Sequence, residues 1–125
     1  MRKLIACGFA MACIGSIAAD VVRPDAGIAL EMVEISPGNH VHYGTHDERD
    51  AANFGDNANI GFIVGHQCVL VVDTGGSRPV GERLRNAIRR VTDRPVCHVV
   101  ITHVHPDHFF GAAAFLPDQP EFIGH

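Results

Sequence analysis

The sequence predicts a mixed α+β domain in which antiparallel strands come first and a parallel βαβ unit follows. Three observations carry that expectation. Two apolar runs, Ile60 to Val64 and Val69 to Val72, are joined across Gly65-His66-Gln67 and read as a hairpin. Leu84, Ala87, Ile88 and Val91 then recur at helical spacing. A further continuous apolar run, Val96 to Ile101, follows that helix, and strand, helix, strand at these spacings makes a right-handed unit with parallel strands.

Taken in chain order, Ala29 to Ile35 is a strand ended by the turn Ser36-Pro37-Gly38-Asn39, and His40 to Tyr43 is its hairpin partner. From Gly44 to Asn59 the chain is polar and reads as a long loop, a length that usually carries function or disorder. The β-branched run Val69 to Val72 is what a strand covered on both faces looks like, and Asp73-Thr74-Gly75-Gly76 turns the chain. Ser77 serves as N-cap and Pro79 fits the first helical turn. Arg83, Arg85, Arg89 and Arg90 are expected on a solvated face, and Thr92-Asp93-Arg94-Pro95 closes the helix. Gly111 to Phe115 is a short helix, and Glu121 to Ile123 begins another strand.

Residues 1–18 are set apart from this fold. Met1-Arg2-Lys3 is positive, Leu4 to Ala19 is almost wholly apolar, and Ser16-Ile17-Ala18 offers small residues for cleavage, the three parts of a secretory signal. The run is too short for a membrane-spanning helix, which needs about 20 apolar residues. The expectation is an exported protein, periplasmic or secreted, with residues 19–125 as its folded part and no membrane attachment after cleavage. Cleavage removes Arg2 and Lys3 and makes the formal charge of −4 two units more negative. Such a domain is unsuited to nucleic acid, whose backbone is gripped mainly by Lys and Arg. Cleavage also removes Cys7 and Cys13 and leaves Cys68 and Cys97. Each of these lies five residues before the end of its own strand (Asp73 and Thr102), so parallel neighbours in register would set the thiols side by side. Pairing in an oxidising compartment is open to them, but two small apolar thiols in the core are expected.

The chemistry-bearing segment is Thr102-His103-Val104-His105-Pro106-Asp107-His108. It follows the last strong strand at its carboxyl end, where α/β sheets place their chemistry. An extended exit from the strand puts His103 and His105 on one side, and Pro106 favours that conformation in the residue before it. Proline also begins the turn that swings Asp107 and His108 back towards them. Imidazole with carboxylate suits zinc, with iron and manganese left open by ligand type. Four donors exceed what one ion needs from one loop and fit two adjacent metals, which lower the pKa of a shared water and polarise the bond attacked. The chain's nine histidines leave chance clustering as the competing explanation. His40, His42 and His46 are expected to be exposed hairpin residues, and His66 and His98 structural.

The motif resembles the signature of the metallo-β-lactamase superfamily, and the resemblance extends upstream through Asn59-Ile60-Gly61-Phe62-Ile63-Val64-Gly65 and Val69 to Gly75. The phrasing of Val72-Asp73-Thr74-Gly75-Gly76-Ser77, His105-Pro106-Asp107-His108-Phe109-Phe110-Gly111 and Phe122-Ile123-Gly124-His125 is similar to exported quinoprotein relay system zinc metallohydrolases. The resemblance implies a four-layer αβ/βα sandwich, of which this chain supplies the N-terminal half. It implies two zinc ions in the complete protein, His103 and His105 holding the first and Asp107 and His108 the second. Asp107 would also orient the attacking water, as the catalytic carboxylate, and Asp73 would brace the loop from behind. It further implies a small-molecule substrate with an ester, thioester or amide bond, and work beside quinone-cofactor alcohol dehydrogenases. The family completes each site with ligands from its second half, whereas only His125 follows the motif here, at a position that is not a ligand. Two donors per ion fall short of the three usual for catalytic zinc, so the chain by itself is expected to bind metal weakly and turn over little. Two other functions compete: a non-catalytic periplasmic metal-binding module, and a dimeric aspartic protease using Asp73-Thr74-Gly75, which predicts a strand after that turn.

Overall fold

The computed structural model describes residues 27–124. The expected signal segment 1–18, Cys7, Cys13 and His125 lie outside the described residues. Six strands form one sheet in sequence order: β1 (Val33–Ser36), β2 (Asn39–His42), β3 (Ile60–Val64), β4 (Val69–Val72), β5 (Val96–Val100) and β6 (Glu121–Ile123). The first three pairings are antiparallel, while β4–β5 and β5–β6 are parallel. The predicted sheet and βαβ unit are therefore both present. β1 is shorter than the apolar run suggested, because residues 28–32 run beside the helix rather than along the sheet: the Leu30 N–H donates to the Arg83 carbonyl at 3.2 Å.

Helix α1 (Arg78–Val91) begins at Ser77, whose hydroxyl accepts from the Val80 N–H, and has Pro in its first turn, as expected. Its buried stripe, Val80, Leu84, Ala87 and Ile88, meets Ile60, Phe62, Val69, Val71, Val96 and Val99 in one core. Burial alternates along β4, with Val69 and Val71 fully buried and Leu70 and Val72 half-buried between them. Alternate residues of a strand face opposite sides, so one face of the sheet packs under α1. Ile63, Phe122 and Ile123 remain exposed.

Arg83 and Arg85 of α1 are half-buried and depart from the expected solvated face, while Arg89 and Arg90 are exposed as expected. Arg85 makes a two-pronged pair with Asp118, its Nη2 2.6 Å from Oδ1, and tethers the segment before β6. Arg90 donates to the Gly27 carbonyl at 3.1 Å, and Arg83 sits 5.2 Å over the Phe54 ring. Helical spacing identifies which side of a helix is apolar, but long side chains reach across to partners that spacing cannot reveal. The short helix expected at Gly111 to Phe115 is only a 3₁₀ turn, and a further helix that was not expected precedes it. Helix α2 (Pro106–Phe109) starts within the histidine cluster, and a single 3₁₀ turn follows at Ala112–Ala114. Among the described residues no helix is long and apolar enough to cross a membrane.

Leu84 is fully buried where α1 meets the sheet. Leu84→Ala is expected to lower stability by about 2–5 kcal/mol, the usual cost of a core truncation, in denaturant titrations followed by circular dichroism. A loss below ~1 kcal/mol would contradict the packing described.

Candidate functional site

The parallel pairing of β4 and β5 brings the ends of two strands side by side, and the site grows from that edge. The Asp73 N–H donates to the Val100 carbonyl at 2.8 Å, which sets Asp73 next to the chain leaving β5. Asp73 has φ 57°, in the left-handed region that Asp tolerates better than most residues. Its carboxylate is 3% exposed and fully engaged. Oδ1 accepts the Thr102 N–H at 2.8 Å, and Oδ2 accepts the Thr102 hydroxyl and the His108 ring, both at 2.7 Å.

Those bonds fix protons on the neighbouring rings. A carboxylate only accepts, so the Thr102 hydroxyl spends its one proton on Asp73. The Thr102 oxygen must then accept from His103 Nδ1, 2.9 Å away. His108 donates through its own Nδ1 to Asp73. Nδ1 is thus the donor in both imidazoles, and in the neutral form of each ring Nε2 is the nitrogen left to accept. This is the arrangement in which a histidine binds a metal while its other nitrogen is held by a carboxylate or hydroxyl.

The loop is folded as the proline implied. His105 is extended (φ −70°, ψ 137°) and α2 starts at Pro106. The His103 ring lies 4.7 Å from that of His105 and 4.0 Å from that of His108, centroid to centroid. Asp107 Oδ2 stands 3.5 Å from His108 Nε2. Two donors bound tetrahedrally to zinc at about 2.1 Å are separated by roughly 3.4 Å, so the Asp107–His108 spacing matches one edge of such a site. The donor types fit zinc and the spacing fits pairs. Among the described residues no three His, Cys, Asp or Glu side chains are gathered to hold one ion. His103 and His105 are exposed, and Asp107 and His108 are half-buried. An open cleft beside them is lined by Ile101, Thr102, His103, Val104 and Gly124.

Backbone contacts clamp the loop onto the turn after β4. The Thr74 N–H donates to the His108 carbonyl at 2.7 Å, and the Gly111 N–H to the Gly75 carbonyl at 2.8 Å. Gly111 is required by this approach: a Cβ there would lie 1.9 Å from the Thr74 oxygen and 3.1 Å from the Gly81 Cα. The turn that the aspartic-protease alternative needed is followed by α1 rather than a strand, and the Asp73 carboxylate has no free side to share a proton across a dimer. That alternative is overturned.

Two histidines expected to be exposed are not. His40 and His42 are each 9% exposed. His40 stacks on Phe62 at 4.6 Å, a contact that the alternation of β2 against β3 creates. His42 Nδ1 lies 2.9 Å from the Glu31 carbonyl and Nε2 2.8 Å from Asp56 Oδ1. Both partners demand a donor, so the doubly protonated ring satisfies both, and the bond to Asp56 holds the His42 pKa above its ordinary 6.5 against the opposing effect of burial. Asp56 belongs to the long polar loop, and its carbonyl also receives the Thr45 N–H at 2.8 Å. The loop is therefore anchored rather than free. The partners of His42 are distant in sequence, and only the neighbouring His40-x-His42 pattern was visible beforehand.

Two outcomes follow from this geometry. Gly111→Ala is expected to cost about 1–3 kcal/mol through overpacking and to break the His108–Asp73 bond, seen as a change in the His108 ring nitrogen resonances. Unchanged stability and resonances would refute the close approach. Because the folded His42 pKa is raised, its contribution is fully present below an unfolded value near 6.5. It is lost as pH rises through the folded value. Wild type should lose stability relative to Asp56→Asn as the pH rises above about 6.5, measured by urea unfolding; parallel pH profiles would rule out the pair.

Comparison with known proteins agrees with the architecture and the motif. A sequence model of the metallo-beta-lactamase superfamily matches residues 53–120. A linear primary-alkylsulfatase of a Pseudomonas species is 35% identical over 51 residues, 41% of this chain and 10% of that protein. Among solved structures, a metallo-beta-lactamase of Erythrobacter litoralis aligns with TM-score 0.59 at 24% identity, covering 73% of this chain and 39% of its own. The metallo-beta-lactamase FIM-1 of Pseudomonas aeruginosa, in a mono-zinc form, aligns with TM-score 0.57 at 22% identity, covering 78% and 42%. The chain thus spans about two-fifths of the length of these structures and a tenth of the alkylsulfatase. With the family's sequence pattern over more than half its length and the family's fold around it, this chain belongs to the metallo-β-lactamase superfamily.

Proposed function

We propose that the chain carries the metal-ligand loop of a zinc-dependent hydrolase that cleaves an ester, thioester or amide bond. His103 and His105 would hold one ion, Asp107 and His108 a second. The observation that carries this reading is the proton arrangement around Asp73, which makes Nδ1 the donor in both His103 and His108 and leaves Nε2 as the metal-binding nitrogen of each neutral ring, that of His108 3.5 Å from Asp107 Oδ2. Bound zinc would supply Lewis-acid polarisation of the bond under attack and a water acidic enough to act near neutral pH. The chain's own residues supply the rest. Asp73 and Thr102 keep the rings in one tautomer and orientation. The half-buried Asp107 accepts a proton-bearing contact from the attacking water and aims it, and the cleft along Ile101, Val104 and Gly124 receives the apolar part of a small substrate.

A sulfate ester is the second reading of the bond cleaved, favoured by the 35% identity to the alkylsulfatase. The sequence phrasing shared with quinoprotein relay metallohydrolases supports a periplasmic or secreted protein, acting after loss of residues 1–18 beside quinone-cofactor alcohol dehydrogenases on a reactive product. A non-catalytic metal-binding module keeps the same donors without turnover, and metal content measured together with hydrolysis separates the two.

Zinc titration monitored on the histidine ring nitrogens tests the ligand assignment. Zinc is expected to shift Nε2 of His103 and His108, to be reversed by chelators, and to bind about 10–100-fold more weakly in Asp73→Asn, the usual cost of losing an outer carboxylate. With two donors per ion, Asp107→Ala and His108→Ala should each abolish the second site. Undiminished zinc affinity in both variants would sink the proposal.

A further inference from the structure

Cys68 and Cys97 are free thiols, and both are half-buried instead of lying in the core. Their placement follows from an irregularity in the sheet. Val69 pairs with Val96 in the parallel β4–β5 ladder, but the next pair is Leu70 with His98. Cys97 is therefore the extra residue of a bulge, and an even count back from the strand ends, which would set it opposite Cys68, does not hold. Val69 and Val96 are both buried under α1. Neighbours along a strand point to the opposite side, so Cys68, just before Val69, and Cys97, just after Val96, emerge together on the other face. The bulge shortens the step that would separate them along the strands. The Cys68 side chain is near enough to raise the Cys97 pKa. Before the pair, the chain is held tightly, with the Gly65 N–H on the Cys68 carbonyl and the Val69 N–H on the Pro95 carbonyl, both at 2.9 Å.

We propose that Cys68 and Cys97 form a reversible disulfide that staples β4 to β5 at the ends of the strands remote from the histidine cluster. The oxidant is a disulfide donor, either a small disulfide such as oxidised glutathione or a disulfide-exchange protein. One cysteine thiolate attacks the donor's S–S bond and expels one donor thiolate, leaving a mixed disulfide. The second cysteine attacks the protein sulfur of that mixed disulfide and expels the other donor half as a thiolate. Two cysteine S–H bonds and the donor S–S bond are lost. One Cys68–Cys97 bond and two donor S–H bonds are formed, and the donor takes up the two electrons.

The consequence reaches the site through register. The same two strands end in Asp73 and Thr102, whose contacts require Val72 level with Val100. A bulge is the place where a ladder can slip, and a slip of one residue turns every following side chain to the wrong face. A cross-link at the bulge blocks that slip. The Cys97 pKa is raised, first by hydrogen bonding with Cys68 and then by desolvation, which keeps the Cys97 thiol protonated at neutral pH and makes exchange through it faster in alkali.

Reduced, folded protein is incubated with oxidised glutathione, quenched with acid, alkylated and digested with trypsin. The result expected is a species lighter by two hydrogens, in which the peptide 50–83 bearing Cys68 is joined to the peptide 91–125 bearing Cys97. Neither Cys68→Ser nor Cys97→Ser should form it, and each should retain a glutathione adduct on the remaining thiol. In the linked form, amide exchange at residues 70–73 and 98–102 should slow at least severalfold. Separate glutathione adducts on both cysteines of the wild type, with no joined peptide, would overturn the disulfide. A joined peptide with unchanged exchange would overturn its role in holding the register.

Discussion

A single buried carboxylate organises the functional edge of this molecule. Asp73 sits at the end of β4 in a backbone conformation that few residues other than glycine adopt, and it is almost wholly removed from water. A carboxylate in that position is tolerable only when donors replace its hydration. Here they come from three directions: the backbone leaving β5, the Thr102 hydroxyl beside it, and the His108 ring from α2. Removing any one of them leaves the charge less well satisfied in a dry site, which is why the loop cannot drift from the sheet without a cost.

The fold supplies those donors through the sense of its strands. Because β4 and β5 run parallel, their carboxyl ends emerge together, and a residue at the end of one can bond the first residues beyond the other. An antiparallel partner would have placed the start of its strand there instead. The connection between them, α1, packs its apolar stripe on the core side and leaves the edge open. The return of the chain through α2 is then fixed by contacts between backbones at Thr74, Gly75 and Gly111, and no side chain fits at either glycine. Exposed rings on the loop therefore rest on a foundation that is buried, hydrogen-bonded and closely packed.

Local pattern revealed most of this and long-range pairing the remainder. The strand order, the Ser77-capped helix and the extended-then-turned path through Pro106 could be read in advance because each depends on residues within a few positions of one another. His40 and His42 could not: polar residues in a short hairpin look exposed until the sheet supplies Phe62 against one ring, and Glu31 and Asp56 against the other. Arg85 looked solvated for the same reason, its partner Asp118 lying 33 positions away. The bulge at Cys97 was hidden by a different cause. Alternation tolerates one extra residue without changing composition, and the strand ends are themselves one residue out of level, Val72 pairing with Val100, so the count from the strand ends was off by two residues. Asp73 was legible as a brace only through family resemblance, while the relay that sets the His103 proton through Thr102 needed the coordinates.

That relay explains how one buried group can govern exposed ones. His103 does not touch Asp73; it touches a hydroxyl whose single proton Asp73 has already claimed. Donation thereby runs inward to the buried carboxylate, from the His103 ring through the Thr102 hydroxyl, and Nε2 is left as the acceptor nitrogen of the neutral ring. His108 reaches the same state in one step. Two imidazoles on different elements, one beyond a strand and one on a helical turn, thus present the same protonation to the same small region. A hydroxyl at position 102 is essential to this symmetry. Valine there would preserve the backbone bond to Asp73 and the shape of the side chain, yet free the His103 ring to adopt either tautomer while His108 stayed fixed.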